Sequence, residues 1–372
     1  MGRRGVWRPS PPALLSHRSP RRLLAVPFLV AALGVWTGCD GGTGTDSTIT
    51  PVAMPFADQF QLEQVITPEQ STESPIVRIS GVSWNGDRFA IADVSEANAK
   101  LFSIDGSLLA TVGRSGEGPG EFTAARYPAL ADGRLFVADG ALGRVSVWTE
   151  SGDLEREIQV GAGFISDFAL LPDGRLVFTG SGFGTPGAAM GVFAEDGTAL
   201  AQGLFTTTVL PADADPEAPW ANMRQTLFTV ANDTAWAVST ISDSLWAVPL
   251  AADSLWAESR RLSIPGYVAP AAPEEPLRSL QDLSDWGRSF HGAAPPVASS
   301  ELLIFPFVRG VLNNGDPTIL VVRDGKGDWY ALSDPPPVIA AFADRLLVIH
   351  NPLEDPVELA VYEMRSTDGN GR

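Results

Sequence analysis

The chain has 372 residues with 26 Lys and Arg against 44 Asp and Glu, a formal net charge of −18. Six of the arginines precede Cys39 and every acidic residue follows it, so the body is more acidic still and repels nucleic acid and anionic headgroups. A single cysteine excludes an internal disulfide and a cysteine-based metal cluster, and 37 Gly with 30 Pro fit many short elements joined by tight turns.

Arg21 and Arg22 stand before Leu23 to Val35, an apolar run short for a bilayer span and flanked like a secretory leader. Gly38 and Cys39 follow directly. This stretch resembles the bacterial lipoprotein signal, which implies cleavage before Cys39, lipid on Cys39 and attachment of the exported chain to a membrane of the cell envelope. Trp36 departs from that pattern, where an aliphatic residue is usual. A plain signal peptide or an uncleaved anchor with an incidental cysteine is the alternative. We therefore expect a signal peptide over residues 1–38 and a flexible tether over 39–55, the latter from the small polar run Asp40 to Thr50.

Phe60 to Ile66, FQLEQVI, alternates apolar and polar residues as a half-buried strand does. It has no partner nearby in sequence. Ile79 to Trp84 and Arg88 to Asp93 read as strands joined by the hairpin signal Asn85-Gly86. Lys100 to Ile104 and Leu108 to Gly113 continue the same unit. A second copy follows: Arg88 and Arg134, Asp93 and Asp139, Phe102 and Trp148, and Gly106 and Gly152 are each 46 positions apart. A period near that length marks propeller blades.

Between the copies lies GRSGEGPGEF, Gly113 to Phe122. A backbone nest for an anion is one reading; turn chemistry, with Gly at positive φ and a bend at Pro119-Gly120, is the other. There is no GK[ST], so a P-loop is excluded. With the DGRLFVAD strand and the SGD turn that follow, this loop resembles the bacterial six-bladed β-propeller proteins related to the NHL-repeat group. The resemblance implies an all-β fold, a six-bladed β-propeller of four-stranded antiparallel blades.

The third blade is expected through Phe168 to Pro172, Arg175 to Thr179 and Gly191 to Glu195, with a Gly-rich loop from Ser181 to Ala189. The fourth shows Ala231 to Val238 and then DSLWA twice, at Asp243 to Ala247 and Asp253 to Ala257, which reads as two neighbouring strands with Trp246 and Trp256 as core. Ile264 to Ser299 breaks the rhythm and reads as an insertion with a short helix near Leu277 to Trp286. Glu301 to Gly310 and Ile319 to Leu332 give the fifth blade, Asp344 to His350 and Glu358 to Met364 the sixth. The sixth lacks a fourth strand, and Phe60 to Ile66 is the spare one. We expect it to pair beside Glu358 to Met364, closing a propeller over residues 56–366 and leaving 367–372 as a tail.

Calcium-holding lactonase-like and zinc-holding lyase-like propellers suggest site residues here. Asp93, Asp139 and Asp167 are the candidates for calcium, although an Asp that caps its following turn explains the recurring Asp93 and Asp139 without metal. Only His291 and His350 follow Cys39, short of a three-histidine zinc set. His350 takes the blade position of Asp139, so His291 is the candidate acid or base. No cofactor is required by these residues. The expected function is an envelope-anchored module that binds a peptide, protein or small ligand at one mouth of the ring, with a metal-dependent hydrolase or lyase as the alternative and an assembly role for 264–299 as a third.

Overall fold

The computed structural model describes residues 48–161, 163–181, 190–203, 226–240, 243–250, 255, 258–269, 279–310, 317–351 and 356–365. The signal peptide expected over 1–38, Cys39, Trp256 and the tail expected over 367–372 lie outside them.

Strand β1 (Val52–Pro55), one turn of helix α1 (Phe56–Gln59) and β2 (Phe60–Ile66) come first. Blade one is β3 (Ile79–Trp84), β4 (Arg88–Asp93), β5 (Asn98–Ser103) and β6 (Leu108–Val112). Blade two is β7 (Ala125–Ala131), β8 (Arg134–Asp139), β9 (Arg144–Thr149) and β10 (Leu154–Gln159). Blade three is β11 (Phe164–Leu170), β12 (Leu176–Ser181), β13 (Met190–Phe193) and β14 (Ala199–Gly203). Blade four is β15 (Thr226–Ala231), β16 (Thr234–Ser239), β17 (Ser244–Pro249) and β18 (Glu258–Arg261). Helix α2 (Leu280–Arg288) then leads to blade five, with β19 (His291–Ala293), β20 (Val297–Ala298), β21 (Leu303–Arg309), β22 (Pro317–Arg323) and β23 (Trp329–Ser333). Blade six is β24 (Val338–Phe342), β25 (Arg345–Ile349) and β26 (Leu359–Met364).

Each middle strand is apolar on both faces, because each blade is covered on both sides. In β4, Ala90 and Ala92 pack toward blade two while Phe89 and Ile91 pack toward blade six. Six such cores follow one another, between blades one and two, two and three, three and four, four and five, five and six, and six and one. A cycle of six inter-blade cores is a ring, and the fold is a six-bladed β-propeller of antiparallel blades. Large aromatic pairs fill the wedges, among them Phe89 on Phe102 and Phe168 on Phe178, both stacked at 5.0 Å.

The ring closes as expected. β2 pairs antiparallel with β26 and becomes the outer strand of blade six, with Phe60 opposite Met364 and Ile66 opposite Leu359. The lacing begins earlier than expected, however. Ile49 bridges to Leu262 beside blade four, and β1 joins β23 in parallel as the outermost strand of blade five. The tether read over 39–55 is therefore ordered strand at its end. The segment from 49 to 66 touches three successive blades, and Phe56 stacks on Phe60 at 5.1 Å within the core between blades five and six.

Two further expectations are corrected. The segment 264–299 is not wholly an insertion: its end supplies β19 and β20, which pair with β21 as the inner edge of blade five. Its helix starts at Leu280, where Ser279 and Asp282 form a reciprocal capping box. In blade four the partner of β17 is β18, with Ala247 opposite Glu258, so the strand follows the second DSLWA rather than containing it. The repeated DSLWA there marks local composition, not register.

Candidate functional site: the central channel

The first strand of each blade faces the axis. In blades one, two, three and six this strand carries a register shift within its first three residues, which leaves Ser80, Arg126, Ser166 and Ile339 as the extra residues. Bulges re-aim side chains and are common beside sites. The innermost segments of all six blades together line a cavity of about 390 Å³. It is polar on blades one to three, where Ser80, Arg126, Tyr127 and Asp167 stand, and apolar on blades five and six, at residues 295–297 and 339–341.

Around this channel polar contacts join neighbouring blades. Ser80 Oγ donates to Ala125 O at 2.8 Å, from blade one to two. Tyr127 Oη donates to Ser166 O, from two to three. Phe228 N donates to Asp167 Oδ2 at 3.1 Å, from four to three, and Ala293 N to Thr240 O at 3.0 Å, from five to four. Gly81 allows a close approach of blade two, since a Cβ there would lie 2.1 Å from Arg126 O.

Asp167 has both carboxylate oxygens engaged, the second by Phe168 N at 2.9 Å. Burial pushes its carboxyl up to about 7 against the opposing pull of these two N–H groups. Burial likewise pushes the neighbouring Tyr127 hydroxyl up to about 12; the Asp167 charge adds to this, and the nearby Arg126 guanidinium opposes it. Arg126 Nε is buried and has no partner among the described residues.

Asp93 and Asp139 are not in the cavity lining and are fully buried. Asp93 accepts from Val77, Arg78, Ser95 and Glu96 N–H groups, and Asp139 from Thr123, Ala124, Ala141 and Leu142. Four donors use up each carboxylate, so both are turn brackets rather than ligands to a cation. Asp93, Asp139 and Asp167 do not converge, and among the described residues no three His, Cys, Asp or Glu side chains do.

His291 is buried at the start of β19 and is not in the channel lining. Its Nδ1 accepts from Val268 N at 2.9 Å, so in the neutral ring Nε2 carries the proton. Burial lowers its pKa, with the nearby Arg309 charge acting in the same direction, and the ring stacks on Tyr267 at 5.6 Å. These contacts pin residues 267–268 to blade five. His350 offers its N–H to Glu358 O at 2.8 Å, within its blade.

The glycine-rich loop is engaged by charged side chains of the chain itself. Its carbonyls turn inward onto buried Arg144, whose guanidinium donates to Glu117 O at 3.1 Å, Gly118 O at 2.7 Å and Glu121 O at 2.5 Å. Its N–H groups are taken by carboxylates: Gly118 N by Glu121 at 2.9 Å and Gly120 N by Glu157 at 3.0 Å. The loop is a clamp on a cation already present in the chain.

Arg126 and Tyr127, absent from the expected site residues, do carry a signal in the sequence. The 46-residue offset sets Ser80-Gly81 against Arg126-Tyr127, two small residues against two large polar ones, in strands that pair in the same register. Channel-facing positions are where copies of a repeat can differ without harm to the core.

Residues 52–196 match the family model DUF5128, a 6-bladed beta-propeller. No curated protein matches the chain. Among solved structures, a predicted exported protein from Bacteroides fragilis shares the fold at a TM-score of 0.59 and 11% identity, over 86% of this chain and 99% of that one. A DUF4221 family member from Bacteroides vulgatus does so at 0.55 and 8%, over 83% and 99%. At such identities the likeness speaks for the fold alone. In DUF5128 terms the matched stretch holds blades one and two and most of three, with Arg126, Tyr127 and Asp167 among its residues.

Proposed function

We propose that this propeller is an exported, lipid-anchored binding module that takes a small ligand into its central channel. The observation that carries this is the cavity itself: displaced inner strands set Arg126, Tyr127 and Asp167 on one wall and leave an apolar wall opposite. Its volume sits at the low end of the range of small-molecule sites, roughly 300–1,000 Å³, which favours a small molecule over a folded partner at this point. A rigid disc with loops at its faces suits recognition without chemistry.

For the channel, Thr229→Trp places an indole in the lining of the cavity. A library of small charged and neutral solutes is screened by saturation-transfer NMR against the full chain and this variant. Ligands that bind the wild type and are lost on the variant, at unchanged melting temperature, support the channel; ligands indifferent to the variant place the site elsewhere. For the anchor, incorporation of a palmitate analogue that disappears in Cys39→Ala supports lipid on Cys39, and an unlabelled wild-type chain refutes it.

A further inference from the structure

Arg126 and Asp167 are the two strongly ionising side chains of the cavity lining, and they are differently committed. Asp167 spends both oxygens on backbone donors and brackets blade three to blade four. Arg126 makes no ion pair with a carboxylate among the described residues. Its guanidinium lies near the neutral phenol of Tyr127, whose hydroxyl donates its hydrogen bond to Ser166 O. A guanidinium cannot lose its charge at any physiological pH. One held in a channel with a neutral partner therefore lacks what such groups ordinarily have, an anion.

The chemistry of that anion is narrowed by what surrounds it. One guanidinium balances one negative charge and matches a planar carboxylate. A phosphate dianion would need a second cation, and the other ionising group here is an acid. Opposite stand residues 295–297 of blade five and 339–341 of blade six, Pro, Pro, Val and Ile, Ala, Ala, with no polar side chain among them. Water against that wall is released when an apolar body covers it. Building on the channel reading above, we propose that the ligand is a small amphipathic monocarboxylate, with its carboxylate on Arg126 and its apolar body against residues 295–297 and 339–341.

The test uses the full chain at pH 7.5, titrated calorimetrically with hexanoate, benzoate and phenylacetate, each beside its neutral amide, and with hexyl phosphate. The expected result is millimolar or tighter binding of at least one carboxylate, about tenfold or more weaker for its amide and for the phosphate. Arg126→Gln should abolish the preference for carboxylate over amide, and Arg126→Lys should keep part of it. Thermal melting of both variants guards against loss of fold; if Arg126→Gln does not fold, the Arg126→Lys result and the amide comparison still decide. Equal binding of acid and amide, or a preference untouched in Arg126→Gln, overturns the proposal. If no carboxylate binds while other solutes bind in a Thr229→Trp-sensitive way, the ligand class is wrong and the channel stands; if no solute binds at all, both fall.

Discussion

Asp93 of blade one and Asp139 of blade two stand 46 residues apart and hold the same four-donor arrangement. In each, one oxygen takes two N–H groups from the segment entering the blade, and the other takes two from the turn that follows the strand. A carboxylate with four backbone donors fixes where the chain enters a blade and how it turns back, and leaves no lone pair for a metal.

Replacing either acid with Ala should therefore be costly. Losing acceptors for buried N–H groups costs about 1–3 kcal/mol for each group left unpaired, and some of these will find water, so we expect about 3 kcal/mol or more from Asp139→Ala in urea denaturation. Calcium and chelator should leave the wild-type melting temperature unchanged. A calcium-dependent rise that vanishes in Asp93→Ala and Asp139→Ala would restore the metal reading.

Arg144 organises the Gly113 to Phe122 loop through three carbonyls and the Glu157 carboxylate, 3.3 Å away. Breaking a buried charge cluster on one side typically costs about 3–5 kcal/mol. Arg144→Met should lose stability on that scale and open the loop, so that limited proteolysis cuts between Arg114 and Glu121. A variant as protease-resistant as the wild type would show that the glycines fold the loop unaided.

The Asp167 carboxyl gives a pH dependence with a definite sign. Its folded pKa, about 7, lies above the unfolded value of about 3.9, so the folded state holds the proton more tightly. The stability linked to it is present in full below about pH 4, declines as pH rises toward 7 and is flat above, a span of at most about 4 kcal/mol. Asp167→Asn removes this slope. Melting temperatures from pH 4 to 8 should fall less steeply with rising pH in the variant than in the wild type; parallel profiles would contradict the assignment.

Much of the fold was legible in the sequence because one local rule repeats. Arg88 and Arg134 each begin a second strand, and each reaches a glutamate of the next blade, Glu150 and Glu195. Apolar letters on both faces of RFAIAD and RLFVAD declared blades covered on two sides. What was not legible depends on partners far along the chain. Val52 to Pro55 has the composition of a linker, and only the free edge of Trp329–Ser333, nearly 280 positions later, makes it a strand. The end of the 264–299 segment is an inner strand through its pairing to β21, with Pro295 and Pro296 masking any alternation. The channel residues were hidden for a different reason. Arg126 and Tyr127 sit at a bulge, and a one-residue register shift changes which way a side chain faces without changing the letters.

A strand from near the N-terminus completes the last blade and locks the ring. Phe56, Phe60 and Ile66 are 5%, 1% and 3% exposed, and burial of each is worth about 2 kcal/mol. Removing them with the β2–β26 ladder costs about 6 kcal/mol, a large share of the 5–15 kcal/mol that holds most domains together. The direct measurement is thermal and urea unfolding of the chain with and without residues 1–66. The truncated chain should unfold at a much lower temperature and denaturant concentration, or fail to fold at all; a truncated chain that melts with the full-length protein would contradict the closure.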